Sequence, residues 1–181
     1  MSKRAIMSCL CAVACLMLIS AACTPPPNEA IAAAEDIIEQ AKDSQIDIYA
    51  TKEYDLAAAE LAKAKAHMAA EEYAEAKAAS EKTIALAKTA GEEAAVQKQL
   101  TKVDVDKKLP EFMERWAEIA GIMQKGRGRA AKALAGEAST FADSIQTQFN
   151  ELKNGEMWHE LNMALDAANS TADEFAEKAG S

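Results

Sequence analysis

Residues 28–90 read NEAIAAAEDIIEQAKDSQIDIYATKEYDLAAAELAKAKAHMAAEEYAEAKAASEKTIALAKTA, a run with no glycine and no proline. A chain so short of backbone punctuation does not build the turns of an all-β or α/β protein, and its alanines, glutamates and lysines are helix formers. Ile31, Ala34, Ile38 and Ala41 step by three and four, which predicts a helix with a narrow apolar stripe, Asn28 as its N-cap and an end near Asp43-Ser44. A second helix is expected from about Lys52 to Ala69, with Ala57, Leu61, Ala64 and Met68 on one face. A third starts at Glu71 or Glu72, where an acid suits the positive end of the dipole, and carries Tyr73, Ala76, Ser80, Thr83, Ala87, Ala90 and Ala94 on its stripe. Alanine contributes only about 0.8 kcal/mol per buried methyl but lets helix axes approach closely, so a thin, tightly paired hairpin follows.

Beyond residue 100 the character changes. Tyr49, Tyr54 and Tyr73 precede it, whereas Phe112, Trp116, Phe141, Phe149, Trp158 and Phe175 follow it. A division into two helical segments, 30–100 and 109–180, is expected near Thr101 to Leu109, because a polar run there precedes Pro110, a residue favoured in a first helical turn. The second segment has a three-helix pattern. Its stripes are Leu109, Phe112, Trp116, Ile119 and Met123; then Leu134, Ala138, Phe141, Ile145, Gln148 and Leu152; then Trp158, Leu161, Leu165, Ala168, Ala172, Phe175 and Ala179. Breaks are expected at Gly126-Arg127-Gly128 and Asn154-Gly155, where glycine supplies positive φ, while Gly121 and Gly136 fall inside helices. The expected fold class is all-α, an elongated hairpin and bundle.

Of the 181 residues 42 are alanine, so the 50% hydrophobic content overstates the core that can be buried. The net charge is −9, and loss of Lys3 and Arg4 with a leader takes it to −11, which argues against a general nucleic-acid binder. All four cysteines, Cys9, Cys11, Cys15 and Cys23, lie in the first 23 residues, so no disulfide framework or cysteine metal site is expected in the folded part. Residues 1–22 have the order of an export signal: Lys3-Arg4, an uncharged and mostly apolar run from Ala5 to Ile19, then Ser20-Ala21-Ala22. An uncleaved membrane anchor is the competing reading, and the small residues just before Cys23 favour cleavage.

Ile19-Ser20-Ala21-Ala22-Cys23 resembles the lipobox of bacterial lipoproteins, with Ser20 where leucine is usual. The resemblance implies a diacylglycerol on the Cys23 thiol and a new amino terminus there; ordinary secretion after Ala22 is the alternative. Residues 23–29, with Pro25-Pro26-Pro27, then form a stiff tether. Thr24 is not the aspartate that retains lipoproteins in an inner membrane, so the resemblance implies an outer-membrane anchor facing the periplasm. Further on, Tyr54-Asp55-Leu56-Ala57, Leu61, Ala64 and Glu72-Tyr73-Ala74-Glu75-Ala76 resemble the family called "domain of unknown function 4398", found in bacterial envelope lipoproteins, over about residues 28 to 95. The same residues resemble a single degenerate tetratricopeptide unit, whose period is about 34 residues. Tyr73, Ala76 and the run Glu81-Lys82-Thr83-Ile84 fall where its second helix has a tyrosine, a small residue and Glu-Lys-Ala-Leu. Ser80 stands where an aromatic is usual, Thr83 where alanine is usual, the first helix lacks the Trp-x-x-Leu-Gly start and a second copy is lacking, so no peptide-binding superhelix is expected.

Residues that could carry chemistry are few. His67 and His159 have no second histidine or cysteine at ligand spacing, and the acidic pairs Glu35-Asp36, Glu71-Glu72 and Glu92-Glu93 point about 100° apart on a helix. Glu156-Met157-Trp158-His159 is a single copy of a di-metal pattern that requires two. No Gly-x-Ser-x-Gly elbow, phosphate-binding loop or Cys–His pair is found, so neither enzyme nor cofactor is expected. The concentrated basic stretch is Lys125-Gly126-Arg127-Gly128-Arg129, either a helix boundary or a candidate anion contact through Lys125, Arg127 and Arg129. Trp116 and Trp158 are expected to be core anchors, with an exposed interface role as the alternative. The function expected is a non-enzymatic envelope lipoprotein, a helical spacer or adaptor with a membrane anchor and an envelope protein partner. The alternatives are a homo-oligomeric structural protein and a small-ligand carrier.

Overall fold

The computed structural model of the chain describes residues 25–180. Among them are six helices and no strand: α1 Asn28–Asp43, α2 Ile46–Tyr49, α3 Thr51–Ala69, α4 Tyr73–Lys125, α5 Arg129–Asn154 and α6 Trp158–Gly180. The fold class is all-α. Two compact units divide the described chain, the first made of residues 25–40 and Tyr54–Ala87, the second of Ala41–Glu53 and residues 88–180.

The first unit is built on small side chains. Ala34 of α1, Ala57, Glu60, Leu61 and Ala64 of α3, and Ala76, Ala79, Ser80, Thr83 and Ala87 of α4 are its buried residues. Ser80 and Thr83 are fully buried, and each hydroxyl is satisfied by donating within its own helix, to Ala76 O at 2.8 Å and Ala79 O at 3.0 Å. Glu60 lies among these alanines and accepts from Lys63 at 2.9 Å on its own helix and pairs with Lys82 of α4 at 3.2 Å. Lys63 above all, by donating to the carboxylate, holds the Glu60 pKa below the usual carboxylate value. Lys65 of α3 and Glu35 of α1 meet at 2.7 Å. The turn from α3 to α4 is a Schellman arrangement: Glu72 N–H bonds His67 O at 2.9 Å and Glu71 N–H bonds Met68 O at 3.2 Å, with Glu71 at φ 61 in the place glycine usually takes.

The second unit holds the large side chains. Val105, Phe112, Trp116, Ile119 and Met123 of α4, Ala138 and Phe149 of α5, and Trp158, Leu161, Leu165, Ala168, Ala172 and Phe175 of α6 form one core. Trp116 is its aromatic centre, with ring centroids 5.0 Å from Phe141 and 5.5 Å from Phe175. Along the edge between α4 and α6, Lys108 donates to Asn162 at 2.9 Å, Arg115 donates to Asn169 at 3.2 Å, and Arg115 also pairs with Asp173. A smaller cluster joins Ile46, Tyr49 and Ala50 to Ala90 and Ala94.

Four local expectations are corrected. The joint expected at Thr101 to Leu109 is absent, and α4 continues through it with Pro110 inside. The core-facing register explains why: Ala94, Lys98, Thr101, Val105, Leu109 and Phe112 keep three-four steps, with the half-buried Lys98 and Thr101 between apolar residues, and Val105 is only 1% exposed. Pro110 and Asp106 are both exposed, so the proline falls on the solvent side of the helix, where a carbonyl left without its helical donor has access to water. In α5 the core position after Ile145 is Phe149, not Gln148, since a step of four was as open as a step of three and the ring has far more area to bury. Asn28 is already helical rather than the cap, and Pro27 O accepts the Ile31 N–H at 3.0 Å. Positive φ after α5 belongs to Glu156 at 53°, whereas Gly155 has φ −80.

Candidate functional site

Cys23, the residue expected to carry lipid, lies outside the described residues, as does the export signal. Pro25-Pro26-Pro27 leads directly into α1. Among the described residues no helix is long and apolar enough to cross a membrane.

The basic loop does separate two helices. α4 ends at Lys125, where Gly126 N–H bonds Met123 O at 3.2 Å, and α5 begins at Arg129. Both glycines have a steric role: a Cβ on Gly126 would lie 2.8 Å from Ala131 Cβ, and Gly128 has φ +105. Neither role concerns a ligand. The cations are a separate matter, since Lys125, Arg127 and Arg129 are all exposed and none pairs with a carboxylate among the described residues. α5 has no acid in its first turn and Gly128 offers no side-chain cap, so Arg129 stands at the positive end of a helix with nothing to offset it. Chemically, this segment could place two guanidinium groups on one anion.

Both tryptophans are core residues, each 7% exposed. Lys102 Nζ lies 5.3 Å from the centroid of the Trp158 ring. A groove of about 170 Å³ runs beside Trp116, between Met123 of α4 and Ala135, Ala138 and Ser139 of α5. Ala120 and Ala142 complete its apolar lining, and Gln124 and Ser139 are its polar side chains.

The residues that sequence reasoning missed surround α2. Tyr49 is buried, its hydroxyl accepts the His159 backbone N–H at 2.9 Å, and its ring meets the His159 ring edge-on at 6.2 Å. Burial, more than the nearby Glu160 charge, pushes the Tyr49 phenol up from its ordinary value. Beside it is a recess of about 220 Å³ bordered by Ser44, Ile46, Gly91 and Lys98, and Lys98 reaches Glu156 at 4.0 Å. The three-residue spacing of Ile46 and Tyr49 is too short a pattern to have marked this helix, which follows Gln45 at φ 62. His67 instead pairs with Glu72 at 2.5 Å, so the two histidines are in different units. No group of histidine, cysteine, aspartate and glutamate able to hold a metal is found among the described residues. No family model, curated protein or solved structure matches the chain.

Proposed function

We propose that the protein is a non-enzymatic lipoprotein of a bacterial envelope, anchored through an acylated Cys23 in the outer membrane and facing the periplasm. In this role it is a helical spacer or adaptor, related to the envelope family it resembles, that presents an acidic helical surface to another envelope protein. The observation that carries this reading is the order of the first residues: Lys3-Arg4, an uncharged apolar run, Ser20-Ala21-Ala22, Cys23 and three prolines, followed at once by helix. Several acyl chains on one residue make attachment long-lived, whereas a single chain would be marginal. Consistent with an adaptor, both tryptophans of the second unit are committed to packing, while several aliphatic side chains, Ile122 and Met163 among them at 57% and 61%, are exposed on its surface.

The intact mass of the mature protein tests the anchor: it should begin at Cys23 and carry diacylglycerol, and a bare thiol there would refute it. Crosslinking in cells followed by purification tests the adaptor role, which fails if an abundant protein captures no envelope protein. A second reading, an anion contact at the basic loop, draws on the unpaired Arg127 and Arg129. Unchanged retention of an Arg127→Gln, Arg129→Gln variant on cell-wall or lipid phosphate would remove it.

A further inference from the structure

The stretch of α4 in the second unit has a second apolar face. Its core side is buried through Ala94, Val105 and Phe112, yet Val96, Leu100 and Val103 on the opposite side are 55%, 57% and 66% exposed. Leaving three branched side chains in water on consecutive turns forgoes stabilisation that polar residues would not have to forgo.

The charges around this face have a regular order. On a helix, residues four apart form ridges. One ridge here is Lys88, Glu92, Val96, Leu100, and the next is Gln99, Val103, Lys107, Glu111. All four charged members are exposed, and none has an ion-pair partner among the described residues, although their neighbours Asp104 and Lys108 pair at 2.7 Å. When the first ridge of one copy lies antiparallel to the second ridge of another, Val96 meets Val103, Leu100 meets Gln99, Glu92 meets Lys107 and Lys88 meets Glu111. The two-fold axis makes every pairing twice. The crossing is the common one of about −50°, in which ridges of this type interdigitate.

We propose that this face of α4 is a homotypic interface, in which two copies of the chain pair antiparallel through Val96, Leu100 and Val103 between matched Glu92–Lys107 and Lys88–Glu111 contacts. The charge order selects a second copy as the occupant, because the face is its own complement. A parallel pairing would set each ridge beside its like and lose the match. The interface is small and partly electrostatic, so the dimer is weak, weakens further with salt, and forms most readily where copies are concentrated. It is independent of the adaptor role and of the anchor.

The test is a zero-length carbodiimide crosslink on the detergent-solubilised full-length chain, read by mass spectrometry. Glu92 and Lys107 are about 22 Å apart along one helix at 1.5 Å per residue, so a direct bond between them can form only between two chains. The expected products are dimers joined Glu92 to Lys107 and Lys88 to Glu111. Glu92→Lys should lower the dimer fraction about ten-fold by replacing two attractions with two repulsions, and Glu92→Lys with Lys107→Glu should restore it. Helical circular dichroism should be unchanged throughout, since both residues are exposed. A chain that stays monomeric at several hundred micromolar, dimers linked only elsewhere, or a double reversal that fails to recover would each overturn the proposal.

Discussion

Replacing Pro110 by alanine should make the protein more stable. Pro110 sits inside the 53-residue α4, where it cannot donate to Asp106 O and its ring crowds that carbonyl. In a helix interior proline is less favourable than alanine by about 3 kcal/mol. Two effects reduce the gain. Asp106 is exposed, so its carbonyl has access to water in place of the missing donor, and restoring the helical bond recovers only part of that figure. Alanine also frees the unfolded chain, which costs about 0.4–1 kcal/mol. A net gain of about 1–2 kcal/mol remains, and for a chain of this size it raises the melting temperature by roughly 3–6 °C. Thermal and urea unfolding followed by helical circular dichroism measure it directly. Were Pro110 the first residue of a separate helix, it would be in a favoured position, and alanine would leave stability unchanged or lower it. A melting temperature that stays put or falls would therefore refute the reasoning that carries α4 through residues 101–109.

Leu161 is 0% exposed, and Leu161→Ala should cost about 2–5 kcal/mol by urea denaturation; a loss under about 1 kcal/mol would mean the core is not packed around it. The pKa of Glu60 is lowered in the folded state, chiefly by the hydrogen bond from Lys63, so its contribution is complete above the ordinary carboxylate range and is lost as pH falls through the folded value. The stability gap between the protein and Glu60→Gln should accordingly narrow from pH about 6 to about 3, and a gap independent of pH would contradict the assignment. Trp116 and Trp158, each 7% exposed, should emit at short wavelength and resist iodide, whereas strong quenching of the folded protein would place one of them at the surface.

How much could be read in advance depended on side-chain size and spacing. The stripe of α6 was fully legible, because Trp158, Leu161, Leu165, Ala168, Ala172 and Phe175 repeat at three-four intervals and all six are buried. The basic loop and its flanking helix ends were equally clear, since Gly126 and Gly128 meet needs that other residues cannot. Pro110 misled because proline suits both a first turn and, at a price in stability, an exposed position on a long helix; local preference does not see the Val105 and Leu109 register that outweighs it. α2 was invisible because its four residues are too few for periodicity, and its packing on Ala90, Ala94 and His159 is a matter of tertiary contact. The candidate site was legible only in part: the cations of the loop were identified, but the Tyr49 surroundings and the exposed ridge of Val96, Leu100 and Val103 needed coordinates.

The pairing of α3 with α4 through methyls and inward-turned hydroxyls leaves a smooth seam. Apart from Leu61 and the short turn that joins the helices, little on such a seam resists a slip along the axis as a row of bulky knobs would. Glu60 supplies the stop: gripping Lys63 on its own helix and Lys82 across the seam, it latches the two rods at one setting. Damage at this carboxylate would then surface less as melting than as slack, with amides of the seam exchanging faster while overall helicity holds.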